Sequence, residues 1–244
     1  MLRTIYGFTS MWIYLIYSIP TLRRVKKLST VQFSVQERDE KVHQLPKKWA
    51  RHVVNCSGAR VTLNGEHHIP TESVLFVCNH QSNFDIPLLM GYLKKPMGFI
   101  SKVEVKKLPI ISDWMEVLPC VFMDRKDRRQ AVKAIQDGAN LLSDGHSLVI
   151  FPEGTRSKGG PIAPFKTGSF RLATKSGVPI VPVTINGSFR LFEEKGNLFQ
   201  PGDVTITIHE PIRKEIYQSM DVKDLAQMVQ DRIDTTKISI PFTP

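Results

Sequence analysis

The sequence predicts an α/β fold in which a mostly parallel or mixed sheet is flanked by helices. Three observations support this class: short apolar, β-branched runs recur after residue 58, helical patterns separate them, and turn residues bound most of the runs. Strands that alternate with helices are typical of a sheet whose strands are joined by helical crossovers. At 244 residues the chain can bury one sizeable core and still carry a small additional segment.

The predicted elements of this α/β region follow one another along the chain. Strands are predicted over residues 59–63, 74–78, 97–101, 120–123, 147–151, 180–185 and 204–209. Helices are predicted over residues 85–92, 103–107, 111–117, 128–143, 167–176 and 222–233. Ser82 or Asn83 is expected to cap the first of these helices. The segment 154–168 is predicted to be a loop at a strand end, where α/β folds bind ligands.

The chain before residue 58 has a different pattern, which predicts a two-helix membrane-attachment motif. Residues 4–22 contain no charged side chain, and four cations follow at once within residues 23–27. As a helix this run would be about 28 Å long. A bilayer's hydrocarbon core is ~30 Å thick, so both a span and an interfacial position stay open. A second helix is predicted over 39–57, where Pro46 either splits it or marks its first turn; a surface helix packed on the α/β region is the alternative.

The net charge of +10 is concentrated in the same N-terminal part. Residues 1–60 hold eleven Lys or Arg against three acids, whereas residues 61–244 hold twenty-two against twenty. This distribution favours an anionic membrane surface over a nucleic acid as partner. The cations that follow the apolar run predict that the rest of the chain lies at the cytoplasmic face of the cell membrane.

The three cysteines, Cys56, Cys78 and Cys120, are far apart in the sequence and match no motif. Cys78 and Cys120 lie in apolar runs that are predicted to be strands. We therefore expect free, buried thiols in a reducing compartment.

The motif NHQSNFD, at residues 79–85, is the first candidate for chemistry. It places His80 on a strand-to-helix turn and Asp85 in the first turn of the helix, so that the carboxylate can fold back onto one imidazole nitrogen. Such a contact fixes the tautomer and leaves the other nitrogen as a general base. The spacing alone also fits a capping aspartate beside a solvated histidine.

The sequence contains neither a nucleophile motif nor a metal-binding pattern that would accompany this pair. There is no Gly-x-Ser-x-Gly stretch, and one histidine with one aspartate supplies only two metal ligands. The base is therefore expected to activate a hydroxyl of the substrate itself.

The motif FPEGTRS, at residues 151–157, is the second candidate. Gly154 allows a ligand to approach the backbone, Arg156 offers a planar fork that suits a phosphate monoester, and Thr155 adds a hydroxyl. Glu153 cannot favour phosphate; it would fix the loop, orient an arginine or accept a hydrogen bond from a ligand hydroxyl. Taken alone, the stretch fits an exposed charged hairpin equally well.

Together the two motifs resemble the glycerophospholipid acyltransferase family, whose hallmark is a histidine, four residues and an aspartate, followed later by Glu-Gly-Thr-Arg. The stretch FMDRKDRR (residues 122–129) is similar to the family's second motif, which ends here in Arg125, and VPIVPV (residues 178–183) is similar to its fourth. The resemblance covers about residues 58–190, and the form of the motifs is most similar to 1-acyl-sn-glycerol-3-phosphate acyltransferases.

This resemblance implies transfer of an acyl chain from acyl-CoA or acyl carrier protein to the sn-2 hydroxyl of lysophosphatidic acid, giving phosphatidic acid. It implies no cofactor, no metal and no covalent intermediate, with His80 as the base, Asp85 as its partner, and backbone amides near the turn, which the sequence does not locate, as donors to the oxyanion. The implied substrate-binding residues are Lys102, Arg125, Glu153, Gly154, Thr155 and Arg156.

Residues 1–57 would then be the membrane-anchoring helices, and residues 58–244 the acyltransferase domain. Other lysophospholipids remain open as acceptors. A metal-dependent lipid phosphohydrolase and a non-enzymatic lipid-binding protein remain open as alternatives from other classes.

Overall fold

The structure is a computed structural model that describes residues 1–28 and 32–238. Within these residues a seven-stranded sheet has the order β1-β7-β6-β2-β5-β3-β4. All neighbouring strands are parallel except β6 and β7, which are antiparallel. The strands are β1 (Arg60–Asn64), β2 (Leu75–Cys78), β3 (Gly98–Lys102), β4 (Val121–Met123), β5 (Leu148–Ile150), β6 (Ile180–Asn186) and β7 (Asp203–Ile208). The predicted mixed, mostly parallel sheet is confirmed.

Helices cover both faces of the sheet. They are α1 (Leu2–Val25), α2 (Val35–Ser57), α3 (Asp85–Tyr92), α4 (Ile111–Val117), α5 (Arg128–Ser143), α6 (Arg171–Ser176), α7 (Lys214–Tyr217) and α8 (Val222–Ile238). Successive residues of a strand point to opposite faces, and in β2 Phe76 packs with residues of α1 to α4 while Leu75 packs with residues of α5 to α8. The central strand is therefore buried on both sides, which explains its continuous apolar sequence.

The predicted elements in the α/β region agree with the structure except where the chain forms short helices and at the end of α8, which runs to Ile238 and not to the predicted residue 233. The helices over 85–92, 111–117 and 128–143 have the predicted bounds. Residues Val103–Lys107 form a 3₁₀ helix, because a five-residue segment with two β-branched valines propagates an α-helix poorly. The predicted helix 167–176 begins as a 3₁₀ turn and becomes α-helical only in α6.

The second N-terminal helix, α2, begins at Val35, four residues earlier than predicted. A capping box starts it: the Ser34 hydroxyl accepts from the Glu37 N–H at 3.3 Å, and the Glu37 carboxylate accepts from the Ser34 N–H at 2.9 Å. The helix continues through Pro46 without a break, because it is packed between α1 and α3.

The outward faces of the two N-terminal helices differ in chemistry. Six large apolar side chains of α1 are more than half exposed: Leu2, Ile5, Tyr6, Ile13, Ile16 and Tyr17. Its opposite face is buried, and there the Ser18 hydroxyl accepts from Trp114 Nε1 of α4 at 2.8 Å. The exposed side chains of α2 are all polar or charged. None of the helices within the described residues combines the length and the hydropathy that crossing a membrane requires.

Candidate active site

The candidate site lies at the end of β2. The carboxyl ends of the parallel strands meet at this edge of the sheet. His80 Nδ1 lies 2.7 Å from Asp85 Oδ2, so the structure brings the predicted pair together. The imidazole stacks on the Phe151 ring, with centroids 4.2 Å apart and planes inclined by 21°. Since a carboxylate can only accept, Nδ1 carries the proton of a neutral ring and Nε2 carries the lone pair.

The Asp85 carboxylate is completely buried and held on both oxygens. Oδ2 also accepts from the backbone N–H groups of Gln81 at 2.7 Å and Ser82 at 2.9 Å. Oδ1 accepts from the Ser188 hydroxyl, which is itself fully buried. A buried carboxylate is tolerated only with such partners, and together they fix its orientation toward the imidazole.

The turn between the histidine and the helix uses its backbone donors internally. The His80 N–H donates to Glu153 at 2.6 Å, the Phe84 N–H to the Ser82 hydroxyl at 3.0 Å, and the Asp85 N–H to the Ser82 carbonyl at 3.2 Å. The N–H groups of Gln81 and Ser82 donate to Asp85, and that of Asn83 donates to Glu193. Every backbone N–H from residue 80 to residue 85 therefore has an acceptor. In this arrangement the amides of residues 80 to 85 are thus already engaged, and the expectation that amides near the turn hold an oxyanion stays a prediction.

The predicted cap of the helix α3 is wrong. Phe84 occupies the N-cap position and makes no side-chain cap hydrogen bond. The Ser82 hydroxyl accepts from the Phe84 N–H, which precedes the helix, and not from an N–H of the helix itself. It donates to the carboxylate of Glu193, which lies outside the helix. The chemistry of the turn overrides the usual capping preference of serine and asparagine.

The second motif lies directly beside the first. Glu153 is buried, with 3% of its surface exposed, and accepts from the backbone N–H groups of His80 at 2.6 Å and Ala163 at 3.0 Å. The Ser157 N–H donates to the His80 carbonyl at 2.8 Å. Of the roles considered for Glu153, the structure therefore supports that of fixing the loop.

Arg125, one of the predicted cations, and Lys166 border this loop. Arg125, in the β4–α5 connection, donates from Nη1 to the Gly154 carbonyl. Gly154 has a φ of +72°, and a Cβ placed on it would lie 2.5 Å from Lys166 Nζ. Both cationic side chains thus lie at the glycine, whose positive φ favours a residue without a side chain.

Arg156 is oriented by a residue outside both motifs. Its Nη1 donates to Glu193 Oε1 at 2.8 Å, and the side chain as a whole remains about one third exposed. Thr155 is exposed at the tip of the loop. Lys102 ends β3 at the same edge of the sheet and is exposed, two strands away from β2.

Sequence reasoning missed Ser188 and Glu193, which hold Asp85 and Arg156. Both lie in the segment after β6, which enters the site because Asn79 exchanges hydrogen bonds of 2.9 and 2.7 Å with the backbone of Ile185. The apolar run of β6 and the Gly-Ser that follows mark a strand end. However, the sequence does not reveal that β6 neighbours β2.

Cys78, two residues before the histidine, is buried and free. Burial, and secondarily the negative charge of Asp85, raises the pKa of its thiol well above the usual range. The thiol therefore stays protonated near neutral pH. Cys56 and Cys120 are also free, but they are only partly buried, so the expectation of a buried thiol is met by Cys78 alone.

The site combines a histidine–aspartate pair with an arginine-bearing loop, and both lie at the carboxyl edge of an α/β sheet. This combination indicates the class of protein to which the chain belongs. A family model described as Acyltransferase matches residues 60–186, which include every residue of the pair and the loop. The chain belongs to this acyltransferase family.

Within that class, two similar proteins carry the same enzyme name. The chain is 37% identical over 177 residues to a 1-acyl-sn-glycerol-3-phosphate acyltransferase of Chlamydomonas reinhardtii, covering 68% of this chain and 53% of that protein. It is 32% identical over 209 residues to a probable 1-acyl-sn-glycerol-3-phosphate acyltransferase of Mycoplasma genitalium, covering 80% and 76%. The chain thus spans about half the length of the algal relative and about three quarters of the mycoplasmal one.

A solved structure has the same fold over the whole chain. The crystal structure of the 1-acyl-sn-glycerophosphate (LPA) acyltransferase PlsC from Thermotoga maritima is similar, with a TM-score of 0.85 and 28% identity. The match covers 100% of this chain and 97% of that one. The two N-terminal helices and the sheet therefore fall within a single shared architecture.

Proposed function

We propose that this chain transfers an acyl chain from an acyl thioester to the sn-2 hydroxyl of lysophosphatidic acid, giving phosphatidic acid. The observation that carries the proposal is the 2.7 Å contact between His80 Nδ1 and Asp85 Oδ2, which leaves Nε2 as a base beside the arginine-bearing loop. The names of the relatives support the choice of acceptor.

In the proposed reaction, His80 Nε2 takes the proton of the lipid hydroxyl while its oxygen attacks the thioester carbonyl. The buried carboxylate of Asp85 stabilises the imidazolium that forms. As the tetrahedral intermediate collapses, the C–S bond breaks, the ester C–O bond remains, and the proton passes from the imidazolium to the leaving thiolate. The enzyme forms no acyl intermediate in this scheme and needs no metal or cofactor.

The phosphate of the acceptor would bind the cations around Gly154. One Nη1 bond of Arg156 goes to Glu193, and the rest of its planar fork is available for a phosphate monoester. Arg125 and Lys102 would add positive charge at the same edge. Gly154 leaves room for the ligand and Glu153 keeps the loop in place, while Thr155 would add a hydroxyl donor.

The helix α1 would attach the protein to the membrane by lying in its interface. Its exposed apolar stripe ends in a cluster of cations at residues 23–27, a combination that binds anionic bilayers. The polar outward face of α2 suits a supporting role. Residues 1–57 would thus be the anchoring segment and residues 58–244 the catalytic domain at the cytoplasmic face, close to substrates that reside in the bilayer.

A thioester-release assay with the purified full chain tests the proposal. The chain is mixed with lysophosphatidic acid and either acyl-CoA or acyl carrier protein thioester, and the phospholipid product is identified. We expect phosphatidic acid with at least one donor, and no product from His80→Ala although that variant still binds anionic vesicles.

Three results would contradict this proposal. Acylation of other lysolipids but not lysophosphatidic acid would overturn the acceptor, and unchanged turnover in His80→Ala would overturn the mechanism. Release of inorganic phosphate that a chelator abolishes would instead indicate a metal-dependent phosphohydrolase.

A further inference from the structure

Glu193 joins the two halves of the site and belongs to neither motif. It follows β6 and a short 3₁₀ turn, Ser188–Leu191, and its side chain is only 4% exposed. Its own backbone N–H donates to the Phe189 carbonyl at 2.9 Å, which fixes the main chain at this position. A carboxylate this deeply buried is costly unless every oxygen is paired, so its partners indicate what it is for.

Three hydrogen bonds reach this carboxylate from the two motifs. Oε2 accepts from the Ser82 hydroxyl at 2.5 Å. Oε1 accepts both from the Asn83 N–H at 2.9 Å and from Arg156 Nη1 at 2.8 Å. One oxygen atom thus connects the turn of the general base directly to the guanidinium.

From this geometry we propose that Glu193 is a positioning residue that sets the distance and angle between the base His80 and the phosphate-binding fork of Arg156. The inference rests on the proposed function. The Nη1 bond anchors one arm of the planar guanidinium and thereby restricts the directions in which its other donors can point. The same oxygen holds Asn83, three residues after His80, so both ends of the acceptor are aligned by one carboxylate.

The geometry makes side-chain length more important than charge. Glu193→Gln keeps an oxygen at the bridging position, and its amide can donate to the Ser82 hydroxyl. Glu193→Asp keeps the charge but withdraws the oxygens by about one C–C bond, ~1.5 Å, so that one carboxylate no longer reaches both motifs. If Glu193 only supplied negative charge, Glu193→Asp would raise KM less than Glu193→Gln does.

The test measures KM for lysophosphatidic acid and kcat in the full chain carrying Glu193→Ala, Glu193→Asp or Glu193→Gln. We expect KM to rise about 10- to 100-fold in the Ala and Asp variants, as for loss of a hydrogen bond to a charged group, and less than about 5-fold in the Gln variant. The matched control is Glu194→Ala, which changes the neighbouring exposed carboxylate and should leave both parameters unchanged.

A double-mutant cycle shows whether Glu193 acts through Arg156. If it does, Glu193→Asp should raise KM little further in a chain that already carries Arg156→Ala, because the guanidinium it orients is gone. Fully multiplicative effects would overturn the proposal, as would unchanged kinetics in the Asp variant or Gln being worse than Asp. If the Ala variant does not fold, the Asp and Gln variants still decide the question.

The wild-type chain separates this inference from the proposed function. A wild type that does not acylate lysophosphatidic acid with either thioester would defeat the proposed function. An active wild type whose Glu193 variants behave like Glu194→Ala would defeat only the positioning role.

Discussion

Replacing Asp85 with asparagine isolates the electrostatic part of the proposed mechanism. The asparagine oxygen can occupy the position of Oδ2 and accept from His80 Nδ1 and the two turn amides, while its amide faces the Ser188 hydroxyl. The tautomer and the turn are then preserved, and only the negative charge beside the ring is lost.

The expected fall in kcat follows from the distance between the imidazolium and the carboxylate. The 2.7 Å contact between Nδ1 and Oδ2 puts the centres of the two charges roughly 4 Å apart, which corresponds to about 4 kcal/mol at an effective dielectric constant of about 20. The amide dipole replaces part of this stabilisation of the imidazolium. We therefore expect kcat to fall about 10²- to 10³-fold.

The assay compares kcat and KM of the wild type and Asp85→Asn with lysophosphatidic acid and one thioester. KM should change little, since the phosphate would be bound by the other motif. Asp137→Asn is the control, because that aspartate pairs with Lys133 on the exposed face of α5. A kcat within about threefold of the wild type, less than 1 kcal/mol of barrier, would refute the role assigned to the carboxylate.

Three further predictions concern other parts of the molecule. Ser188→Ala should lower kcat about 3- to 10-fold with KM unchanged, because one oxygen of the buried catalytic carboxylate loses its donor; equal kcat in the two chains would contradict this. His43, whose Nε2 accepts from the Met97 N–H at 2.9 Å, has its pKa lowered by burial to about 4, so the unfolded chain binds more protons below about pH 6.5. The free energy of unfolding should therefore fall by about 3 kcal/mol between pH 6.5 and 4 through this group, and urea titrations of His43→Gln should lack this component. Charging the exposed stripe of α1 with Ile13→Asp and Ile16→Asp should weaken binding to anionic vesicles in a flotation assay without lowering the melting temperature; unchanged flotation would contradict the interfacial position of α1.

The positions of the strands and helices could be predicted from the sequence, because each depends on residues close together in the chain. The strand and helix periodicities over residues 74–92 and 128–150 are strong, and each element there forms within one or two residues of its predicted bounds. His80 and Asp85 are five residues apart, so the geometry of one turn decides their contact.

Contacts between residues on different strands of the sheet could not be predicted from the sequence. Ser188 meets Asp85 at a separation of 103 residues, and Glu193 meets Asn83 at a separation of 110. Both contacts depend on β6 lying next to β2, and strand order is a result of packing that no local pattern encodes. Among the turn amides, that of Asn83 depends on the same packing, because its acceptor Glu193 follows β6.

Four phenylalanine rings connect helix α1 to the turn that carries His80 and Asp85. Phe8 of α1 packs on Phe192 and Phe199, with centroids 6.1 and 5.2 Å away, and both of these rings touch Phe84, which immediately precedes Asp85. Removal of the N-terminal helices would uncover this aromatic patch and loosen the support beneath the base. If α1 attaches the protein to the membrane as proposed, a truncation that removes it should therefore lower turnover as well as membrane binding.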